Sequence, residues 1–334
     1  MENKKPDIVA ALRCEQPQKA VPLWELEFHL WNSFSKKRVI LGTEFVKLTP
    51  AEQDKALHRN AEIMFSVSRE LFFSALTVPG GYWEISPGVP AYYWLPDEAR
   101  IKQTKILKHI FSDHVMLIAV SGATIGIPNS DDYIDFSLKL LEKPEQIDLL
   151  AQNALREGIE GAKKFRDLGV EGLITATDIA ENRGPYFSPE HMRRFILPYL
   201  QEWARQVKSL GAFPILHTDG NLESCLEDLA QTGISALQAI DPVAGMDIKK
   251  VKQQIGDRVC LCGNVDCGLF LQGTPEQVYE ATAGLIKACK PGGGFVLGAS
   301  NVIQSQAPNE NILAMIEAWK NFGSYESATD IQQI

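Results

Sequence analysis

Apolar and polar positions along the chain fall into two alternating patterns. Runs of six to eight mostly apolar residues read as strands buried on both faces. They are VPLWELE (21–27), SALTVP (74–79), VMLIAVS (115–121), EGLITATD (171–178), FPILHTD (213–219), ALQAID (236–241), VCLCGNVD (259–266) and GFVLGAS (294–300). Between them, apolar residues recur at helical spacing, as in PAEQDKALHRNAEIMFSVSRELFF and PEHMRRFILPYLQEWARQVKSL, the latter stopped by Gly211. In TPEQVYEATAGLIKACK, Thr274 is placed to cap a helix and Pro275 to occupy its first position. Eight strands, each followed by a helix, predict an α/β fold: a single (β/α)8 TIM barrel. Its expected span is 21–325, after a short N-terminal helical extension (1–20), with loop insertions at the barrel mouth. No linker, low-complexity tract or solenoid-period repeat interrupts it.

Composition narrows the function classes. A 334-residue chain that is 45% hydrophobic and 22% charged has ample core for one barrel. Its net charge of −9 lacks the basic footprint that nucleic acid or an anionic membrane requires. No apolar run approaches the roughly 20 residues needed to span a bilayer, and MENKKPDIVAALR is too polar for a leader. Six cysteines without a compact framework suggest reduced thiols and a cytoplasmic location. CLCGNVDC lacks C-x-x-C spacing, so Cys260, Cys262 and Cys267 are expected to pack strands rather than bind zinc. PGGGF (291–295) precedes a strand instead of opening a helix, which argues against a phosphate loop. The sequence leaves monomer and homodimer equally open.

The candidate chemistry sits at the strand ends. Catalytic residues of such barrels cluster where the strands finish. Period-two alternation in WELEFH predicts Trp24 and Leu26 toward the helices, with Leu23, Glu25 and Glu27 inward and Glu27 at the mouth. A structural salt bridge is the alternative role for these acids. The other strands end in Asp178, in His217 and Asp219, in Asp241, in Asn264 and Asp266, and in Ser300 and Asn301. On strand five, Phe213, Ile215, His217 and Asp219 share a face, so the histidine and aspartate point inward together. So many polar strand ends exceed what packing alone explains. His58, His109 and His191 fall within helical patterns as solvated or packing residues, and His114 lies at the barrel bottom. Trp24, Phe28, His29, Tyr82, Trp83 and Tyr186 are candidate substrate-binding residues. The run GGYWEISPGVPAYYW reads as a lid or wall for a flat apolar molecule.

The run TDIAENRGPYFSPEHMRRFILPYLQEWARQVKSLGAFPILHTDGN resembles the signature of the uroporphyrinogen decarboxylase superfamily. GNVDCGLFLQGTPEQVYEA and APNENILAMIEAW resemble two further segments of that superfamily, in the right order. The resemblance implies a (β/α)8 barrel and spans roughly residues 20 to 320. True uroporphyrinogen decarboxylases carry an arginine-rich loop after strand one to grip carboxylates. Here that position reads WELEFHLWNSF, with two acids and no arginine. Thiol-directed methyltransferases of the superfamily carry His-x-Cys after strand five and a second Cys after strand eight. This chain has His217 but Asp219, and GAS ending at Ser300.

The resemblance therefore points to the corrinoid-dependent branch that removes methyl groups from ethers. It implies a small methylated donor, such as a methoxylated aromatic, and the cobalt of a corrinoid (cobalamin) protein as partner. His217, Asp219 and Asp241 are the expected ligands of a zinc ion that polarises the ether oxygen. Glu25, Glu27, Asp178 and Asn264 are the candidate catalytic residues, and Ser300 completes the binding set. Three alternatives stay open: the same methyl transfer without metal, with Asp178 or Glu27 as the acid at the oxygen; a metal-free lyase in which Asp178 stabilises a protonated intermediate; and a methylcorrinoid:thiol methyltransferase.

Overall fold

Seven parallel strands form one curled sheet, in the order Ala75–Thr77, Met116–Val120, Gly172–Ala176, Phe213–Thr218, Ala236–Ala239, Cys260–Val265 and Phe295–Ala299. Each strand lies inside a run that the sequence marks as apolar. The remaining stave, first in chain order, is the segment 21–28, which closes the ring between the two edge strands, so that Phe295–Ala299 is the eighth. Leu23 bridges Leu297 in parallel, the Ser74 N–H donates to Leu23 O, and the Trp24 N–H donates to Leu297 O. The result is the expected (β/α)8 barrel. The structure, a computed structural model, describes residues 3–80, 84–86, 89–90 and 92–325.

Helix boundaries follow the capping chemistry. Pro50–Glu70 and Pro275–Cys289 each begin with a capping box, Thr49 with Glu52 and Thr274 with Gln277. Leu197–Ser209 is followed by Gly211 at φ +73°, where a side chain would be strained. Among the described residues, no helix is long and apolar enough to cross a membrane.

The core has two layers. Leu23, Leu76, Leu173, Leu216 and Leu261 face the helices, whereas Ile118, Ile174, Ile215, Cys260, Cys262 and Val296 fill the barrel interior. Cys260 and Cys262 are therefore the packing thiols that the sequence suggests. Helix Lys5–Leu12 buries Ile8, Ala11 and Leu12 against that interior cluster. The Lys4 N–H donates to His114 O, so this helix closes the lower end, beside the residue expected there.

The first stave departs from expectation. Trp24 and Leu26 pack inside the barrel, while Leu23 faces the helix layer. The predicted alternation is inverted because this stave is not a regular ladder. The Trp24 carbonyl presses on Gly298, where a Cβ would lie only 2.1 Å away. The Ala299 N–H donates to the Glu25 carboxylate at 2.9 Å rather than to a main-chain oxygen. Inside, the Trp24 indole N–H donates to Thr77 Oγ1 at 3.0 Å, which anchors the ring in the interior.

Candidate active site

The mouth of the barrel opens into a cavity of about 680 Å³. Strands four and five supply its most reactive wall. Asp178 follows strand four, His217 ends strand five inside the ring, and Asp219 comes two residues later. A ligand atom from each lies within 4.8 Å of the others. Gly220 makes this placement possible: at φ +92° its Cα lies against the Ala180 main chain, and a Cβ there would come within 2.5 Å. The chain turns sharply after Asp219, leaving its carboxylate over the cavity.

Hydrogen bonds orient all three groups. The Asp219 N–H donates to Asp178 Oδ1 at 2.9 Å, and Asn301 Nδ2 donates to Asp219 Oδ2. The imidazole Nδ1 of His217 meets Gln238 Oε1, which its register partner on strand six supplies. Burial pushes the Asp219 carboxyl up to about 6; the nearby Asp178 and Asp241 charges add to this, and His217 and Asn301 oppose it.

The facing walls are milder. His29 and Tyr92 form an aromatic edge with ring centroids 4.8 Å apart. The His29 Nε2 pairs with Glu27 Oε2 at 2.7 Å. Asn301, Gln304, Ser305 and Gln306 supply a neutral hydrogen-bonding wall after strand eight. Among the described residues, no lysine or arginine lines this cavity.

The sequence-derived candidates therefore divide. His217, Asp219, Asp178 and His29 meet at the cavity as expected. Asp241 stands outside the three-ligand group, since its carboxylate accepts from the Gly220 and Val243 N–H groups and holds the neighbouring turn. Phe28 does not line the cavity: it is buried against Trp31 and Phe73. Trp24 belongs to the interior core below the cavity. Tyr186 packs on Tyr133 and Phe187 and meets the Ser137 hydroxyl at 2.8 Å.

The remaining candidates brace the framework. Asn264 donates to Ile240 O at 2.6 Å, and Ser300 Oγ accepts from the Cys267 N–H at 3.2 Å. Glu25 is not among the lining residues; it sits in the seam between the first and eighth staves. Its Oε1 is buried without a partner, and burial pushes the carboxyl up to about 8 against the pull of the Ala299 N–H. Glu27, 1% exposed, lies behind His29 instead of in the mouth. Tyr82 and Trp83 lie outside the described residues.

The Gln304–Gln306 wall, Cys267 in the cavity and Gln238 behind His217 escaped the sequence reading. Cys267 opens the helix Cys267–Gln272 and lines the cavity, contrary to the strand-packing role expected of it. Burial raises its thiol above the ordinary range. Gln238 lies in an apolar run, and only the strand register, which sets it opposite His217, gives it meaning.

The chain is 32% identical over 142 residues to the uroporphyrinogen decarboxylase of Coxiella burnetii, covering 42% of this chain and 38% of that one. It is 33% identical over 191 residues to the Chlorobium luteolum enzyme of the same name, covering 55% and 52% respectively. The matches thus span about two fifths to one half of these relatives' length. A methyltransferase from Methanosarcina mazei superposes with a TM-score of 0.70 at 20% identity, over 96% of this chain and 99% of that one. It shares the fold. Residues 99–322, more than half of the chain, match the model of the uroporphyrinogen decarboxylase (URO-D) family, and the protein belongs to that family.

Proposed function

We propose that this barrel transfers a methyl group from a small methylated donor, a methoxylated aromatic ether, to the cobalt of a corrinoid protein. One observation carries the reading: the described cavity wall holds two carboxylates and two histidines but no lysine or arginine. A substrate rich in carboxylates would meet repulsion where it needs bidentate clamps. A neutral aromatic ether meets none, and His29, Tyr92 and Leu26 offer it a flat apolar side. The likeness in fold to a methyltransferase supports the same reading.

Zinc is part of the proposal, and the residues fit it. Asp178 and Asp219 each commit one oxygen to a hydrogen bond, which leaves the other available beside the imidazole of His217. Three N/O ligands with an open position form the donor set of a catalytic divalent site. A bound zinc would polarise the ether oxygen and stabilise the leaving alkoxide or phenoxide. The protein's own part is orientation. Asn301 holds Asp219, Glu27 holds His29, and the Gln304–Gln306 wall offers hydrogen bonds to polar groups on the donor.

The test is a spectroscopic assay for conversion of Co(I) to methyl-Co(III) on a corrinoid protein, run with a panel of methoxylated aromatics. Methyl-cobalt formation with at least one donor is expected. Its absence throughout, with release of carbon dioxide from a small carboxylic acid, would replace this reading with a lyase.

A further inference from the structure

His217 and Gln238 face one another across strands five and six, both buried, at 7% and 2% exposure. A glutamine in the four-residue buried strand Ala236–Ala239 must satisfy both ends of its amide. One end meets the imidazole Nδ1 of His217. The other lies 3.3 Å from two main-chain oxygens, Ala299 O and Ser300 O.

That second contact fixes everything upstream of it. Carbonyl oxygens only accept hydrogen bonds, so the amide group facing both of them must be the NH₂. The group facing His217 is then the amide oxygen, which also only accepts. Nδ1 must therefore carry a hydrogen, and the neutral ring keeps its lone pair on Nε2. A flipped amide would set an oxygen against two oxygens, so only this orientation is stable.

We infer that Gln238 is a positioning residue: it locks His217 as the Nδ1–H tautomer, so that Nε2 serves as the ligand atom for a divalent cation beside Asp178 and Asp219. This rests on the metal reading of the proposed function. The chemistry is that of metal-binding histidines generally, whose second nitrogen is held by an acceptor that sets ring orientation and basicity. Here the acceptor is an amide anchored to strand eight, so the eighth stave reaches the metal site through Gln238 without supplying a ligand of its own.

The alternative is a buried amide that merely completes the packing between strands six and eight. Two measurements separate the roles. Long-range ¹H–¹⁵N spectra of the metal-free protein, with His217 identified by its loss in His217→Asn, should show the Nδ1–H tautomer. Titration with zinc should then give a Kd about 10–100-fold weaker in Gln238→Met than in the native protein. Gln238→Glu, which retains an acceptor toward Nδ1, should bind zinc more tightly than Gln238→Met.

An Nε2–H ring in the native protein overturns the inference, and so does Gln238→Met binding zinc with native affinity. The spectra need no variant at position 238, so a misfolded Gln238→Met leaves the tautomer test intact. Native protein that binds no zinc yet shows the Nδ1–H pattern would remove the metal from the proposed function while upholding the tautomer lock.

Discussion

The main-chain N–H of Asp219 donates to the carboxylate of Asp178 at 2.9 Å, tying the ends of strands four and five together. The bond holds the two acids side by side at the cavity. Asp178, rather than Asp241, lies within ligand reach of His217 and Asp219, so it is the proposed third member of the metal set. Elemental analysis should find about one divalent ion, zinc, per chain in the native protein. Asp178→Ala, His217→Ala and Asp219→Ala should lose it, while Asp241→Ala should keep it. Retention by Asp178→Ala together with loss from Asp241→Ala would restore the original set.

Glu25 should make stability fall with rising pH. Its folded-state carboxyl titrates at about 8, against an ordinary 4.5. Between those values the folded protein holds a proton that the unfolded chain has released. The contribution is fully present below about pH 4.5 and is lost as pH rises through about 8, at up to about 1.4 kcal/mol per unit. Glu25→Gln should flatten this slope and raise the melting temperature at pH 8.5 relative to native protein. Parallel melting curves for the two proteins at pH 5 and 8.5 would remove the buried proton from the account.

Glu27 and His29 should act through binding rather than chemistry. Removing the carboxylate in Glu27→Ala leaves a largely buried imidazole without its 2.7 Å partner, costing about 1–3 kcal/mol in a urea titration. With His29 serving as a wall, KM for the methyl donor should rise more than kcat falls. A collapse of kcat at constant KM would instead make Glu27 the acid of the reaction.

Gly298 is the tightest point of ring closure. In Gly298→Ala the new methyl would lie 2.1 Å from the Trp24 carbonyl, a main-chain atom that cannot step aside cheaply. Overpacking of this kind costs about 1–3 kcal/mol or more. Calorimetry should show the loss, and an unchanged melting temperature would mean that the first stave can slide.

The barrel was legible because seven of its strands are regular and two-sided, so apolar runs and capping residues mark them directly. Inward placement of His217 and Asp219 followed from period-two alternation along strand five, where the ladder is continuous. The same rule failed at Trp24 to Glu27. There a carboxylate takes a main-chain hydrogen bond, the chain bends at Leu26, and the period is lost. Asp241 misled for a related reason: an acid at a strand end can cap a turn as readily as face a ligand, and sequence does not record which N–H groups lie nearby. Gln238 was invisible because its partners, His217 and the Ala299 and Ser300 carbonyls, are about 20 and 60 positions away and become neighbours only through the register.

The N-terminal helix has a consequence for traffic. With Ile8, Ala11 and Leu12 stoppering the lower end, and Trp24 and the interior aliphatic side chains filling the lumen above them, the described residues leave no through-passage in the barrel. Whatever enters the mouth leaves by the mouth. If a large partner must seat over that opening to accept the methyl group, the spent donor waits beneath it. Departure of the partner then sets the pace of release, and the turnover number would track the dissociation rate of the complex instead of the speed of bond cleavage.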